Sequence, residues 1–245
     1  MAFAFDSACR KRQSTRQVGK LVAVEAMPLQ RQPSTAGRSL PTRRQTLRTM
    51  ITAQDLLARV MNAPLACYSK QELWHRYLAD IGPGDECLEF GVASGRSITC
   101  MAEMRPRTDF WGFDSFEGLP EAWGRCEKGR FRVDVKRLKF PPNVRLQIGL
   151  FADTLPGFMS SQPLNRLRGV HIDCDLGSST RTILDALGEH IMAKKPFMLF
   201  DEFYNYRGYE DHEFGAFLEW VNKTGTSFEV IGRDVLHEQV LIAIR

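Results

Sequence analysis

Short apolar runs alternate with helical segments between residues 86 and 244, and no other feature constrains the fold as strongly. Seven runs have the length and the branched or aromatic side chains of β-strands; they cover residues 86–90, 110–114, 144–148, 170–174, 197–201, 228–232 and 237–244. Helical spacing marks three segments, at 97–103, 178–191 and 213–221. This alternation predicts an α/β fold, a seven-stranded and mostly parallel Rossmann-like sheet with helices on both faces. The last two strands are joined by too few residues for a crossover, so they must form an antiparallel hairpin.

Two helices are predicted before the first strand. Residues 47–61 carry apolar side chains at helical spacing. A second helix begins after Ser69, because Ser69 and Glu72 have the spacing of a capping box, in which each side chain binds a free backbone N–H. The Gly-Pro-Gly sequence at 82–84 ends it. We expect residues 47–84 to form a helical cap over one edge of the sheet or over a ligand cleft.

The first 46 residues have the composition of a disordered basic tail. Residues 1–50 hold ten Lys and Arg residues against two acids, whereas the rest of the chain holds 23 against 27. The predicted domain, residues 47–245, is therefore mildly acidic and offers no basic patch for nucleic acid. Three interpretations of the tail stay open: an organelle transit peptide, a flexible tail, or an early start codon with Met27 or Met50 as the true start.

The composition also bears on the cellular compartment. The sequence has no apolar run of 18 residues, so no membrane-spanning helix is predicted, and no secretory signal is evident. Its six cysteines form no C-x-x-C pair, which favours reduced, buried thiols over a disulfide framework or a zinc site. Together these features predict a cytoplasmic protein without a membrane partner.

The first predicted strand runs into a tight glycine turn and then into a helix. Glu89 lies near the end of the strand, Gly91 and Gly95 follow, and Ser97 opens the helix. Glycines let a ligand approach the backbone, and the free N–H groups of a helix start attract its polar atoms. The turn lacks the lysine of a phosphate-binding loop and has Ala93 where a dinucleotide fingerprint has glycine. An ordinary turn of an α/β sheet stays the alternative interpretation.

Ligands of open α/β sheets bind beyond the carboxyl ends of the strands. The second strand ends at Asp114, followed by Ser115, and an acid there commonly accepts hydrogen bonds from both hydroxyls of a ribose. The third strand ends near Phe151, which offers an apolar shelf to an adenine ring. The alternative for Asp114 is that it caps the turn that follows it.

Four acids follow the next two strands: Asp173 and Asp175 after the fourth, Asp201 and Glu202 after the fifth. Because neighbouring strands lie about 4.8 Å apart, the four carboxylates are expected in one small volume. They would repel one another unless some were protonated, and a hard cation such as Mg²⁺ resolves the repulsion. No histidine or cysteine is expected beside them, which argues against zinc and copper. Such a site suits activation of a substrate hydroxyl or hydrolysis by a metal-bound water.

Five strings of sequence together resemble the macrocin O-methyltransferase family. They are, in order, L-E-F-G-V-x-x-G-x-S from Leu88, G-F-D-S-F-E-G-L-P from Gly112, G-x-F-x-D-T-L-P from Gly149, D-x-D-L-x-x-S-T from Asp173 and F-D-E-F from Phe200. The resemblance covers about residues 85–220. It implies the class I methyltransferase fold, S-adenosylmethionine (SAM) as methyl donor and Mg²⁺ as second cofactor. Known members methylate sugar hydroxyls in natural-product pathways.

The resemblance also implies roles for individual residues. Six of them would bind SAM, four at its methionine side and two at its ribose: Glu89, Gly91, Gly95 and Ser97, then Asp114 and Ser115. Mg²⁺ would be bound by Asp173, Asp201 and Glu202, and Asp175 would be the general base on the acceptor hydroxyl. Residues 116–130 would form a mobile flap over the site.

Four positions depart from the family pattern. Leu150, Ala152, Gly177 and Phe203 stand where tryptophan, an acid, an aromatic residue and tyrosine are usual. They are expected near the acceptor, which argues against a macrolide or aminocoumarin sugar as the substrate. His212 is expected at the same end of the sheet, as a solvated loop residue or, alternatively, as a second base or substrate contact.

The sequence therefore predicts an enzyme, a SAM- and Mg²⁺-dependent O-methyltransferase. Its partner would be a small hydroxylated acceptor, a sugar or natural-product moiety, and not a nucleic acid. Two alternatives stay open: a non-catalytic SAM-binding or adaptor domain, and an RNA-associated methyltransferase that uses the basic tail. Assembly into a homo-oligomer is left open.

Overall fold

The computed structural model describes residues 50–245, which contain one eight-stranded sheet. Its strands are β1 (Leu65–Cys67), β2 (Glu86–Phe90), β3 (Asp109–Asp114), β4 (Val144–Ile148), β5 (Leu167–Ile172), β6 (Phe197–Phe200), β7 (Phe228–Asp234) and β8 (Val240–Ile244). Their order across the sheet is β1-β7-β8-β6-β5-β2-β3-β4. The predicted tail, residues 1–46, and the first residues of the predicted helix 47–61 lie outside the described residues.

Six α-helices are found between residues 50 and 245. They are α1 (Ala53–Met61), α2 (Lys70–Leu78), α3 (Arg96–Met104), α4 (Phe151–Ser161), α5 (Gly177–Lys194) and α6 (Glu213–Thr224). Two 3₁₀ helices, Val135–Arg137 and Tyr209–Asp211, interrupt the loops after β3 and β6. In this described part of the chain, none of the helices combines the length and the apolar character needed to span a membrane.

The hydrophobic core lies on both faces of the sheet. On one face, side chains such as Leu88 and Phe90 pack against α1, α4, α5 and α6. On the other face, Cys87 and Leu199 pack against α2 and α3. Successive side chains of a strand point to opposite faces, so the central strands are apolar on both sides, as parallel strands covered by helices must be. The predicted placement of helices on both faces is confirmed.

The prediction of a mostly parallel sheet with a C-terminal antiparallel pair is also confirmed. β7 and β8 pair antiparallel, with Phe228 opposite Ile244, and β8 pairs antiparallel with β6. The predicted number of seven strands is wrong, because β1 adds an eighth. β1 pairs in parallel with β7, with Leu65 opposite Gly232. Three residues are too few to show a period of two, so this strand is defined by its partner and not by a local pattern.

The strands end slightly earlier than predicted at the edge where the acids gather. β5 ends at Ile172 and β6 ends at Phe200. The loops immediately beyond these two ends therefore carry the four predicted acids, Asp173, Asp175, Asp201 and Glu202.

Helix α4 was not predicted. Phe151 was predicted near the end of a strand, whereas β4 ends at Ile148 and α4 begins at Phe151. Pro156 lies inside α4. Because proline usually breaks a helix interior, the sequence around it did not predict a helix.

Helix α2 begins where the capping pattern predicted. The Ser69 hydroxyl accepts a hydrogen bond from the backbone N–H of Glu72 at 3.3 Å. The Glu72 carboxylate binds the backbone N–H of Tyr68 at 2.9 Å and not that of Ser69, so the capping box is half formed. This start places Lys70 in the first turn of the helix.

Four cysteines of the described residues are free thiols: Cys67, Cys87, Cys100 and Cys174. Three of these, Cys67, Cys87 and Cys174, are buried.

Candidate active site

A cavity of about 820 Å³ opens at the carboxyl ends of the parallel strands, and its volume suits a small-molecule site. The loops after β2, β3 and β4 form one side, the loops after β5 and β6 the other, and α2 with the β7–β8 turn a third. Eight of the predicted site residues line it: Gly91, Ser97, Asp114, Ser115, Phe151, Asp173, Asp175 and Asp201. Three others, Glu89, Gly95 and Glu202, are not among its lining residues.

The glycine turn packs closely against the end of β5. Gly91 has φ +93°, and a Cβ there would lie 1.8 Å from the backbone oxygen of Asp173. Gly95 has φ +77° and caps α3, and a Cβ there would lie 2.6 Å from the ring of Phe140. Both positions therefore need glycine for backbone conformation and for space. Gly91 brings the turn beside the acids, whereas Gly95 faces the loop that carries Phe140.

Asp114 ties the end of β3 to the glycine turn. Its Oδ2 accepts hydrogen bonds from the backbone N–H groups of Val92 and Ala93, at 2.8 and 2.7 Å. Its Oδ1 accepts one from the N–H of Phe116 at 2.7 Å. A carboxylate has about four acceptor positions, so these bonds leave room for one ribose hydroxyl. The turn-capping interpretation of Asp114 describes these contacts, and its contact with a ribose stays a prediction.

Glu89 lies below the cavity and holds two side chains in place. It is 1% exposed. The hydroxyl of Ser97 donates to its Oε1 at 2.8 Å, and its Oε2 lies 2.9 Å from Nδ1 of His171. Burial alone would lower the pKa of His171, but the bond to Glu89 and the nearby charges of Asp173 and Asp201 raise it above the usual value. Glu89 therefore fixes the positions of Ser97 and His171 without lining the cavity itself.

Asp173 and Asp201 meet on the acidic side of the cavity, as predicted. One carboxylate oxygen of each and one ring nitrogen of His171 lie within 4.8 Å of one another. Burial, and then the charge of Asp201, raise the pKa of Asp173 to about 7. A bound cation would relieve this repulsion, so the residues present fit a divalent cation. The prediction that no histidine stands beside these acids is wrong, because His171 lies at the end of β5, only two residues before Asp173.

Lys70 is the positive charge that already faces these acids. Its Nζ lies 2.6 Å from Oδ2 of Asp201, and its side chain is 28% exposed. Burial would lower the pKa of Lys70, but Asp201, Asp173 and Glu202 raise it above its usual value. The ammonium therefore stays charged and offsets part of the surplus negative charge.

The other two predicted acids differ from each other in position. Asp175 lines the cavity, is 7% exposed and has φ +62°, a left-handed conformation that is strained for a residue other than glycine. Glu202 is fully buried, and its backbone N–H donates to Oε2 of Glu213 at 3.1 Å. Burial, and then the charge of Asp173, raise the pKa of Glu213 well above the usual value. Glu202 does not belong to the group that Asp173 and Asp201 form with His171.

The segment predicted as a flap lies along the cavity beside α5. Leu119 and Trp123 pack against Leu176, just before α5. The hydroxyl of Ser178 donates to Oε1 of Glu121 at 2.5 Å. Leu119 also lines the cavity, so the segment is positioned to contact a ligand, while its mobility stays a prediction.

The positions that depart from the family pattern have different surroundings. Leu150 and Ala152 line the cavity, as predicted for residues near an acceptor. Phe203 is fully buried and packs against Phe200 and Phe217, away from the cavity. A Cβ at Gly177 would lie 2.4 Å from the backbone oxygen of Asp211, so this loop leaves no space for an aromatic side chain.

The sequence analysis named His212 at this end of the sheet, but His237 and not His212 lines the cavity. His212 packs against Trp123 and Tyr206 and is not among the lining residues. His237 does line the cavity, and its Nδ1 lies 3.0 Å from Oδ2 of the buried Asp234. Nothing in the sequence around His237 signals this, because the β7–β8 turn is brought to the site only by the pairing of its strands.

No protein-family model and no curated protein sequence matches this chain. Solved structures do match it. A crystal structure of CalS11, a calicheamicin methyltransferase, has a TM-score of 0.54 at 18% identity and covers 86% of this chain and 99% of its own. An apo structure of CalS11, described as a TDP-rhamnose 3'-O-methyltransferase, has a TM-score of 0.48 at 18% identity, covering 78% and 92%. The mycinamycin-pathway methyltransferase MycE has a TM-score of 0.47 at 14% identity, and the match covers 71% of this chain and 48% of MycE. The first of these likenesses shows that the chain has the Rossmann-like fold of class I methyltransferases.

Proposed function

We propose that this protein is a SAM-dependent O-methyltransferase that acts on a hydroxyl of a small metabolite, a sugar or natural-product moiety. One observation carries the proposal: a single cavity has a glycine turn on one side and the acids Asp173 and Asp201 on the other. The first side suits a nucleoside-like donor and the second an acceptor hydroxyl with a cation. The calicheamicin methyltransferase that shares the fold supports the class of reaction.

The donor side would bind SAM through the glycine turn and the loops after β3 and β4. Gly91 and Ser97 would lie at the methionine end. Ser115 and the remaining acceptor position of Asp114 would face the ribose, and Phe151 would form an apolar wall for the adenine. Phe151 is suited to this because its ring already packs edge-on against Phe90, at 5.4 Å between centroids, which fixes its orientation.

The acceptor side would prepare the hydroxyl for attack. When bound, SAM supplies the electrophilic methyl group, and a divalent cation at Asp173 and Asp201, Mg²⁺ in the sequence-based prediction, lowers the pKa of the acceptor hydroxyl. Asp175 would accept the proton of that hydroxyl, since it lines the same cavity immediately before α5. Aligning the hydroxyl with the donor methyl supplies the rest of the rate enhancement.

The test combines binding and turnover on the full chain. Calorimetry should show that SAM binds, and tritiated SAM should label a hydroxylated acceptor from a panel of sugars and phenols only when divalent cation is present. Asp175→Asn should abolish most labelling, whereas the matched variant Asp153→Asn, at an exposed position of α4, should retain it. Turnover that persists in EDTA would refute the role of the cation, and absence of SAM binding would refute the proposed function.

The two alternatives predict different results. A non-catalytic SAM-binding domain would bind SAM and label no acceptor, and the lining of the cavity by Asp173, Asp175 and Asp201 argues against it. An RNA-associated enzyme would bind RNA with an affinity that falls steeply with salt and disappears when residues 1–46 are removed. The cytoplasmic location, the independent tail and the single domain at 47–245 stay predictions from the sequence.

A further inference from the structure

Three side chains that can ligate a cation converge at the carboxyl ends of β5 and β6. They are His171, Asp173 and Asp201, and one ligand atom of each lies within 4.8 Å of the others. His171 lies at the end of β5, and Asp173 immediately follows this strand. Asp201 follows β6, which pairs with β5 in parallel, so the sheet itself brings the three groups together.

The imidazole of His171 is oriented as a metal ligand would be. It is 1% exposed. Nδ1 lies 2.9 Å from Oε2 of Glu89, and Nε2 is buried without any hydrogen-bond partner. Ligating histidines almost always donate their other ring N–H to a carboxylate, which fixes the ring and leaves the second nitrogen for the metal. A buried nitrogen without a partner needs an explanation, and a cation between Nε2 and the two aspartates gives one.

We propose that His171 ligates a divalent cation together with Asp173 and Asp201, in place of the predicted ligand Glu202. An imidazole beside two carboxylates suits Mn²⁺ and the first-row metals that follow it, whereas Mg²⁺ strongly prefers oxygen ligands. The site therefore selects Mn²⁺ over Mg²⁺. The use of this cation in catalysis rests on the proposed function, but its binding can be measured without an acceptor.

Lys70 competes with the cation for one of the three ligands. Its ammonium lies 2.6 Å from Oδ2 of Asp201 and neutralises the same carboxylate. Because the Lys70 side chain is 28% exposed, it can move into solvent when a cation binds. Removal of this ammonium should therefore strengthen cation binding, which gives the proposal a test in which a variant gains affinity.

The direct experiment is pulsed electron paramagnetic resonance of Mn²⁺ bound to the full chain. Modulation from a directly coordinated ¹⁴N nucleus is expected in the wild type and should be lost in His171→Gln. Mn²⁺ bound without ¹⁴N modulation would overturn the proposal. No Mn²⁺ binding at millimolar concentration, in either the wild type or Lys70→Met, would overturn it as well.

The Mn²⁺ affinities of variants then show whether His171 or Glu202 is the third ligand beside Asp173 and Asp201. Mn²⁺ titrations should show at least tenfold weaker binding for His171→Gln and a change within twofold for Glu202→Gln, and Mg²⁺ should compete poorly. The reverse order of these two variants would overturn the proposal. Lys70→Met should bind Mn²⁺ about tenfold more tightly, and an unchanged affinity would overturn the competition between Lys70 and the cation.

Matched variants control for charge and for the loss of a ring. Lys223→Met removes an exposed lysine that pairs with Asp185 on the surface, and His75→Gln removes an exposed histidine on α2. Both should bind Mn²⁺ as the wild type does. The proposed function fails separately, because it is judged by SAM binding and methyl transfer and not by the ¹⁴N signal.

Discussion

Replacement of Asp114 by alanine should release the glycine turn and lower both stability and SAM affinity. Its carboxylate accepts three backbone hydrogen bonds, from Val92, Ala93 and Phe116, at 2.7–2.8 Å. A hydrogen bond to a charged group contributes about 1.5–3 kcal/mol. Because Asp114 is only half-buried and such terms are not additive, we expect a loss of about 3 kcal/mol in the free energy of unfolding.

The asparagine variant should cost less, for a geometric reason. Asp114→Asn keeps one carbonyl oxygen, which can still accept from Val92 and Ala93, and it loses the bond from Phe116. The expected cost is one hydrogen bond with an unpaired donor left behind, about 1–2 kcal/mol. SAM affinity should fall less than in Asp114→Ala, because the turn keeps its anchor.

Urea unfolding measures the two costs, and calorimetry with SAM measures the affinities. The control is Asp109→Ala on the same strand, because Asp109 pairs with Arg145 at 2.7 Å but is 46% exposed. An exposed ion pair contributes about 0–1 kcal/mol. If Asp114→Ala is no less stable than Asp109→Ala and still loses SAM, then Asp114 binds the ribose and does not anchor the turn.

Three further predictions concern the walls of the cavity. Asp175→Asn should lower kcat by about 10²- to 10⁴-fold, the usual contribution of a general base, while calorimetry should show unchanged SAM affinity. Equal losses in kcat and in SAM affinity would argue against Asp175 as the general base. Gly91→Ala should lower the Tm by well over 5 °C in a thermal scan, because its Cβ would lie 1.8 Å from the backbone oxygen of Asp173; an unchanged Tm would contradict the tight packing of the turn. Burial and Asp201 raise the pKa of Asp173 to about 7, so the stability that its proton contributes is complete below about pH 4 and is lost as the pH rises towards 7. The free energies of unfolding of Asp173→Asn and of the wild type should be compared by urea unfolding in EDTA. As the pH rises from 5 to 8, the variant should become more stable relative to the wild type, and a difference that does not change with pH would contradict the raised pKa.

The parts of the fold that could be predicted are those with a local pattern. β2 and β4 begin and end where predicted. β2 is buried at four of its five residues, whereas the edge strand β4 alternates apolar and polar residues. The cavity position could also be predicted, since acids after parallel strands must lie at one edge of the sheet. Asp173 and Asp201 meet there for that reason.

The parts that could not be predicted depend on contacts across the chain. β1 is a strand only because β7 lies beside it. His171 looked like one more buried strand residue, yet its register opposite Glu89 places two polar side chains together under the site. His171 is visible in the sequence two residues before Asp173, but only the pairing of β2 with β5 shows that it lies beside Glu89.

Lys70 shows how helix α2 and the acids act on each other. The first turn of α2 lines the cavity through Ser69, Lys70 and Gln71, while the ammonium of Lys70 neutralises Asp201. A cation that displaces this ammonium changes the wall that an acceptor would contact. By thermodynamic reciprocity, an acceptor that favours the displaced position of Lys70 must strengthen cation binding by the same factor. Lys70, which was not predicted as a site residue, would therefore couple cation binding to acceptor binding, because its side chain both lines the cavity and pairs with Asp201.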